Sequence, residues 1–103
     1  MSQRTMLYMK KCVPIFSMLQ DERRQEITQL LFENKELSVS SLTEKLSLSR
    51  PAVSHHLKLL LDADLVTVRQ EGKERYYRLN LKPALELLKE LTRSIETDIE
   101  QVM

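Results

Sequence analysis

The sequence predicts a mainly α fold with a single β-hairpin, a winged helix-turn-helix, in one domain spanning all 103 residues. Three observations carry that expectation. Within 38–65, two short amphipathic helices are separated only by Ser47, Leu48 and Ser49, a turn that makes such helices cross steeply. The second of them carries its own start signals, Ser49 as N-cap and Pro51 in the first turn. Directly after it comes an alternating segment, 66–79, with one central glycine.

In chain order, residues 5–19 are apolar almost all round, broken by Lys10 and Lys11, and Pro14 is expected to bend or interrupt the helix. A domain this small can hardly enclose such a helix. Segment 1–20 is therefore assigned to dimerisation, through Met6, Met9 and Val13. Asp21 caps a second helix, Glu22 to Glu33, whose inner stripe is Ile27, Leu30 and Leu31, and Asn34 ends it in a left-handed conformation.

In the helix-turn-helix, Val39, Leu42 and Leu46 share one face, and Ser38, Ser40 or Ser41 can cap the start. Ser41 with Glu44 fits a capping box. In the next helix Val53, Leu57, Leu60 and Leu61 fall on one side, and Pro51, Ser54, His55, Lys58 and Asp62 on the other. One side packs and the other is free. Hydroxyl, imidazole and ammonium groups on a free helical face can contact base edges and phosphates in a major groove. His56 lies at the border of the packed side. Taken alone, the helix reads more readily as an amphipathic helix with a solvated face; the turn, the cap and the hairpin together favour a DNA reader.

The wing, 66–79, places Val66 and Val68 toward the core with Tyr77 and Leu79, and Arg69, Tyr76 and Arg78 outward. Gly72 sits where a hairpin needs positive φ. Lys73 and Arg75 ride near the tip, where they can meet phosphates or a minor groove. The DNA-facing set is thus Ser49, Arg50, Pro51, Ser54, His55, Lys58, Arg69, Lys73 and Arg75. From 81 to 102 the helical period returns with one apolar stripe. Its Leu85, Leu88, Leu91, Ile95 and Ile99 are assigned to a two-fold interface.

Composition sets limits. The net charge of +1 says little as a total, but the wing carries Arg69, Lys73, Arg75 and Arg78 against Glu71 and Glu74. A single cysteine, Cys12, fits a reducing cytoplasm, and the longest uncharged run falls far short of the ~20 residues of a membrane span. A cytoplasmic protein without membrane contact is expected.

From Leu37 to Leu79 the sequence resembles the ArsR/SmtB family of bacterial winged-helix regulators, through LSRPAVSHHLKLLLDADLV followed by VTVRQEGKERYYRL. The resemblance implies a homodimer that represses transcription by occupying a DNA operator and is usually released by an inducer, whose identity the sequence does not disclose. The chain departs from the family's metal sensors. Where they carry a cysteine motif it has Glu36-Leu37-Ser38-Val39-Ser40-Ser41-Leu42, and its last helix has no histidine. Hydroxyls are poor ligands for soft metals, and Glu86, Glu90, Glu96, Asp98 and Glu100 read as a solvated face, so neither metal nor cofactor is expected.

The functional expectation is a dimeric, sequence-specific DNA-binding repressor reading a palindrome. The alternative is a winged-helix protein-interaction module that lacks DNA binding. An enzyme is not expected, since no phosphate loop and no nucleophile with an evident base occurs.

Overall fold

Side-chain caps open the four helices that precede the hairpin. In the computed structural model, which describes residues 1–102, these are α1 (Gln3–Leu19), α2 (Glu22–Asn34), α3 (Val39–Lys45) and α4 (Arg50–Asp62). Ser2 accepts from the Thr5 amide, Asp21 from Arg23 and Arg24, Ser38 from Ser41, and Ser49 from Ala52. Each such cap stabilises its helix by about 1 kcal/mol. Ser38 thus caps α3, and the Ser41–Glu44 box does not form.

Two other local expectations are corrected. Helix α1 runs through Pro14 without a break, because Pro14 and Lys10, whose carbonyl loses its partner, both face solvent. After α2 the positive φ falls on Lys35, at 59°, rather than on Asn34, which stays helical and donates its side-chain amide to the Leu30 carbonyl.

The remaining elements are β1 (Leu37–Ser38), β2 (Val66–Glu71), β3 (Glu74–Leu79) and α5 (Lys82–Val102). The strands form one antiparallel sheet in the order β1-β3-β2, with Leu37 opposite Tyr77 and Val66 opposite Leu79. The two-residue strand β1 had no sequence signal, and it makes β3 the central strand. Gly72 and Lys73 close the hairpin; with φ 62° at Gly72 and no positive φ at Lys73, this is the type II′ turn that matches strand twist.

The core is assembled from every element. Ile27 and Leu31 of α2, Leu42 of α3, and Val53, Leu57 and Leu60 of α4 meet Leu65 just before the wing, Val66 and Tyr77 within it, and Cys12, Ile15 and Met18 of α1. Each large side chain removed from water contributes about 1.5–3 kcal/mol before chain entropy is subtracted. Val68, expected inside, is 38% exposed, because β2 is the sheet edge and only its first residue reaches under α4.

Helix α5 packs chiefly against α1. The radius of gyration, 16.5 Å, exceeds the ~13 Å of a compact chain of this length, so this helix pair extends from the body. What looked like one stripe on α5 is two. Ala84, Leu91, Ser94 and Asp98 are buried on the α1 side, whereas Leu81, Leu85, Ile99 and Val102 are exposed and Leu88 and Ile95 half-buried. Leu91 therefore belongs to the chain's own core rather than to a free face. Asp98, expected in a solvated face, is 8% exposed. Its carboxylate accepts from the Thr5 hydroxyl at 2.7 Å and from the Ser2 amide at 3.0 Å, bonds that hold its pKa below the usual value.

Candidate nucleic-acid interface

Helix α4 divides as its periodicity demands. Val53, Leu57 and Leu60 are buried, and Ser54, His55 and Lys58 are exposed one turn after the next on the other side. His56 is half-buried, its Nδ1 3.4 Å from the guanidinium of Arg24, which is itself anchored to Asp21 and to the Ser17 carbonyl. The two histidines, with ring centroids 5.9 Å apart, thus face different surroundings. Among the described residues His55 and Lys58 have no ion-pair partner. Along α4 itself this side presents hydroxyl, imidazole and ammonium groups, and the helix carries no carboxylate before Asp62 in its last turn.

The start of α4 is held more tightly than the sequence indicates. Ser49 caps it and Pro51 occupies the first turn, both exposed. The Arg50 guanidinium donates to Ser40 Oγ at 2.8 Å and lies 3.4 Å from Glu74 Oε1. Ser40 in turn donates its hydroxyl to Glu74 Oε2 at 2.9 Å and its amide to Oε1 at 3.4 Å. The Ser40 hydroxyl bond, with that amide and Arg50, holds the Glu74 pKa below the usual glutamate value. Sequence reasoning missed Ser40 and Glu74, since nothing along the chain pairs positions so far apart.

In the wing, Lys73 and Arg75 are exposed and have no ion-pair partner among the described residues. Arg69 is placed differently. Its guanidinium grips Glu36 with two hydrogen bonds at 2.8 and 3.0 Å, lies 3.3 Å from Glu71, and stacks 4.6 Å from the Tyr76 ring centroid. Glu36 raises the Arg69 pKa, and Arg69 lowers that of Glu36. A phosphate would have to compete with these two carboxylates for Arg69.

The expected interface residues also separate. Met6 and Val13 of α1 are exposed, Met9 is half-buried, and with Phe16 they recur at spacings of three and four, a narrow seam. Leu85, Leu88, Ile95 and Ile99 form a second seam on α5.

Comparison with known proteins places this arrangement. Residues 21–68, from the cap of α2 to the middle of β2, match the model of the arsR family of bacterial regulatory proteins. The arsenical resistance operon repressor of Staphylococcus aureus is 41% identical over 71 residues, 69% of this chain and 67% of that protein. The chain belongs to the arsR family. A transcriptional activator of Vibrio cholerae, HlyU, is 38% identical over 84 residues, 79% of this chain and 77% of its own. An ArsR-like transcriptional regulator from Rhodococcus sp. RHA1 superposes with a TM-score of 0.75 at 31% identity, covering 90% of this chain and 88% of that one. This arsR-family chain is thus a DNA-binding winged-helix transcription regulator, a class distinct from enzymes. No helix among its described residues is long and apolar enough to cross a membrane.

Proposed function

We propose that the chain acts as a homodimeric repressor that reads a palindromic operator, with α4 in the major groove and the hairpin tip beside it. The observation that carries this reading is the solvent-facing row of Ser54, His55 and Lys58 on a helix whose other side is sealed into the core. Arg50, Ser54 and His55 contact bases. Lys58, Lys73 and Arg75 neutralise phosphates, Ser49 and Pro51 set the start of the helix against the backbone, and Arg69 is a secondary phosphate contact.

The two apolar seams support the dimer. Met6, Met9 and Val13 of α1 with Leu85, Leu88, Ile95 and Ile99 of α5 are left open on a chain too small to cover them. Closing them against a second copy about a two-fold axis would set two recognition helices about 34 Å apart, one turn of DNA. Around the start of α3 the chain offers the hydroxyls of Ser38, Ser40 and Ser41 where metal sensors place thiolates, and hydroxyls are poor ligands for soft metals, which supports a regulator without that metal site. The arsenical resistance repressors among its relatives support repression.

A filter-binding assay of the intact protein on duplexes recovered by in vitro selection, at low and moderate salt, tests the reading. Selection of a two-fold symmetric sequence supports it. A protein that retains no duplex at either salt is instead the interaction module.

A further inference from the structure

From the contacts around Arg50 we infer that Glu74 of the wing and Ser40 of α3 are positioning residues for base recognition, which hold the Arg50 guanidinium for a guanine edge and keep it from the phosphates. The inference rests on the proposed DNA reading and deepens it.

Arg50 is the first residue of α4, at the end of the helix that enters a groove. Left alone, its long side chain samples many rotamers and goes to the nearest anion, which beside DNA is a phosphate. Here it is not left alone. Ser40 Oγ accepts from one terminal nitrogen at 2.8 Å, and Glu74 Oε1 lies 3.4 Å from the other. Two hydrogen bonds from Ser40, at 2.9 and 3.4 Å, fix the Glu74 carboxylate in turn. Three elements brought together only by the fold, α3, α4 and β3, thus converge on one guanidinium.

The remaining donors of that guanidinium, Nε–H among them, have no partner among the described residues. A planar fork with free donors and a fixed plane suits the paired acceptors O6 and N7 of guanine. The carboxylate behind it disfavours a nearby phosphate and accepts the guanidinium charge without covering its open donors. Arg69 of the wing provides the contrast: the Glu36 carboxylate takes its Nε and one terminal nitrogen, and Glu71 lies against the other, so all three nitrogens are engaged.

The test uses the intact protein, in vitro selection from random duplexes, and the variants Arg50→Ala, Glu74→Gln and Ser40→Ala, each checked for an unchanged circular dichroism spectrum. Arg50→Ala identifies the base pair that Arg50 reads, as the position where guanine preference vanishes. At that same pair Glu74→Gln is expected to lose discrimination by about five- to tenfold, within the range of one bidentate contact. Preference elsewhere in the site stays as in the parent. With Arg50 released to phosphate, the slope of log affinity against log salt steepens by roughly 0.9 per half-site.

A merely structural role for Glu74 would weaken all sequences alike and would not steepen the slope; that outcome overturns the inference, as does full discrimination in Glu74→Gln. Should that variant not fold, Ser40→Ala decides by the same two readouts. If Arg50→Ala changes no base preference, the inference falls while DNA binding stands. If the parent protein selects no sequence, the DNA reading itself fails and takes this one with it.

Discussion

The Thr5 hydroxyl donates to the Asp98 carboxylate at 2.7 Å, joining the first turn of α1 to the last turns of α5. Ser2 adds its amide and hydroxyl to the same oxygen, and Arg4 donates to Ser94 beside it. These bonds favour the ionised carboxylate and depress its pKa, Thr5 contributing most. The stabilisation is therefore present above the ordinary value of 3.8 and lost as pH falls through the lower folded value. Asp98→Asn should melt below the parent at pH 7, and the gap should narrow below pH ~3.8. A gap that is constant with pH in thermal melts would contradict this.

Lys35 offers a stability test free of DNA. Its φ of 59° and ψ of −51° form a tight turn in which the Glu36 amide donates to the Asn34 carbonyl. Strain of order 1–3 kcal/mol in a non-glycine residue there outweighs the ~0.5–1 kcal/mol of chain entropy that glycine loses. Lys35→Gly should therefore stabilise by about 1 kcal/mol and raise Tm by about 4–8 °C. A fall in Tm would show the turn to be unstrained.

The open seams call for a solution measurement. Leu85 and Ile99 are about half exposed in the protomer, so lysines there can be solvated without disturbing its core. By sedimentation equilibrium the parent should have twice the protomer mass and Leu85→Lys/Ile99→Lys the protomer mass, with an unchanged helical spectrum. A dimeric double variant would move the interface elsewhere.

At the wing, Lys73 has no carboxylate partner among the described residues, whereas Arg69 has two. Lys73→Ala should weaken binding to every duplex alike and flatten the salt dependence by about 0.9 per half-site. Arg69→Ala should change that slope less. Equal slopes for the two variants would show that DNA displaces Glu36 and Glu71 from Arg69.

Much of this was legible in the chain because it is written locally. Ser49, Pro51 and the spacing of Val53, Leu57 and Leu60 declare α4 within a few residues, and Gly72 declares the hairpin. What escaped notice depends on distant pairing. Strand β1 is only Leu37 and Ser38, ordered by Tyr77 and Tyr76 rather than by its own pattern. Asp98 looks like one more surface acid until α1 brings Thr5 and Ser2 against it. The α5 stripe divided because α1 covers one side of it, and periodicity alone does not say how much of a wide stripe one neighbour can cover. At the candidate site the exposure of His55 and Lys58 followed from periodicity, but the Ser40–Glu74 brace on Arg50 needed the fold.

The most direct measurement compares the parent and His55→Ala on their selected duplex and on random DNA at equal salt. His55 is exposed and has no hydrogen-bond or ion-pair partner among the described residues, so folding should be unaffected. The expected result is a loss of about 1–2 kcal/mol on the selected duplex, confined to one or two base pairs, with affinity for random DNA nearly unchanged. Equal losses on both duplexes, or no loss on either, would contradict the assignment of base recognition to the exposed side of α4.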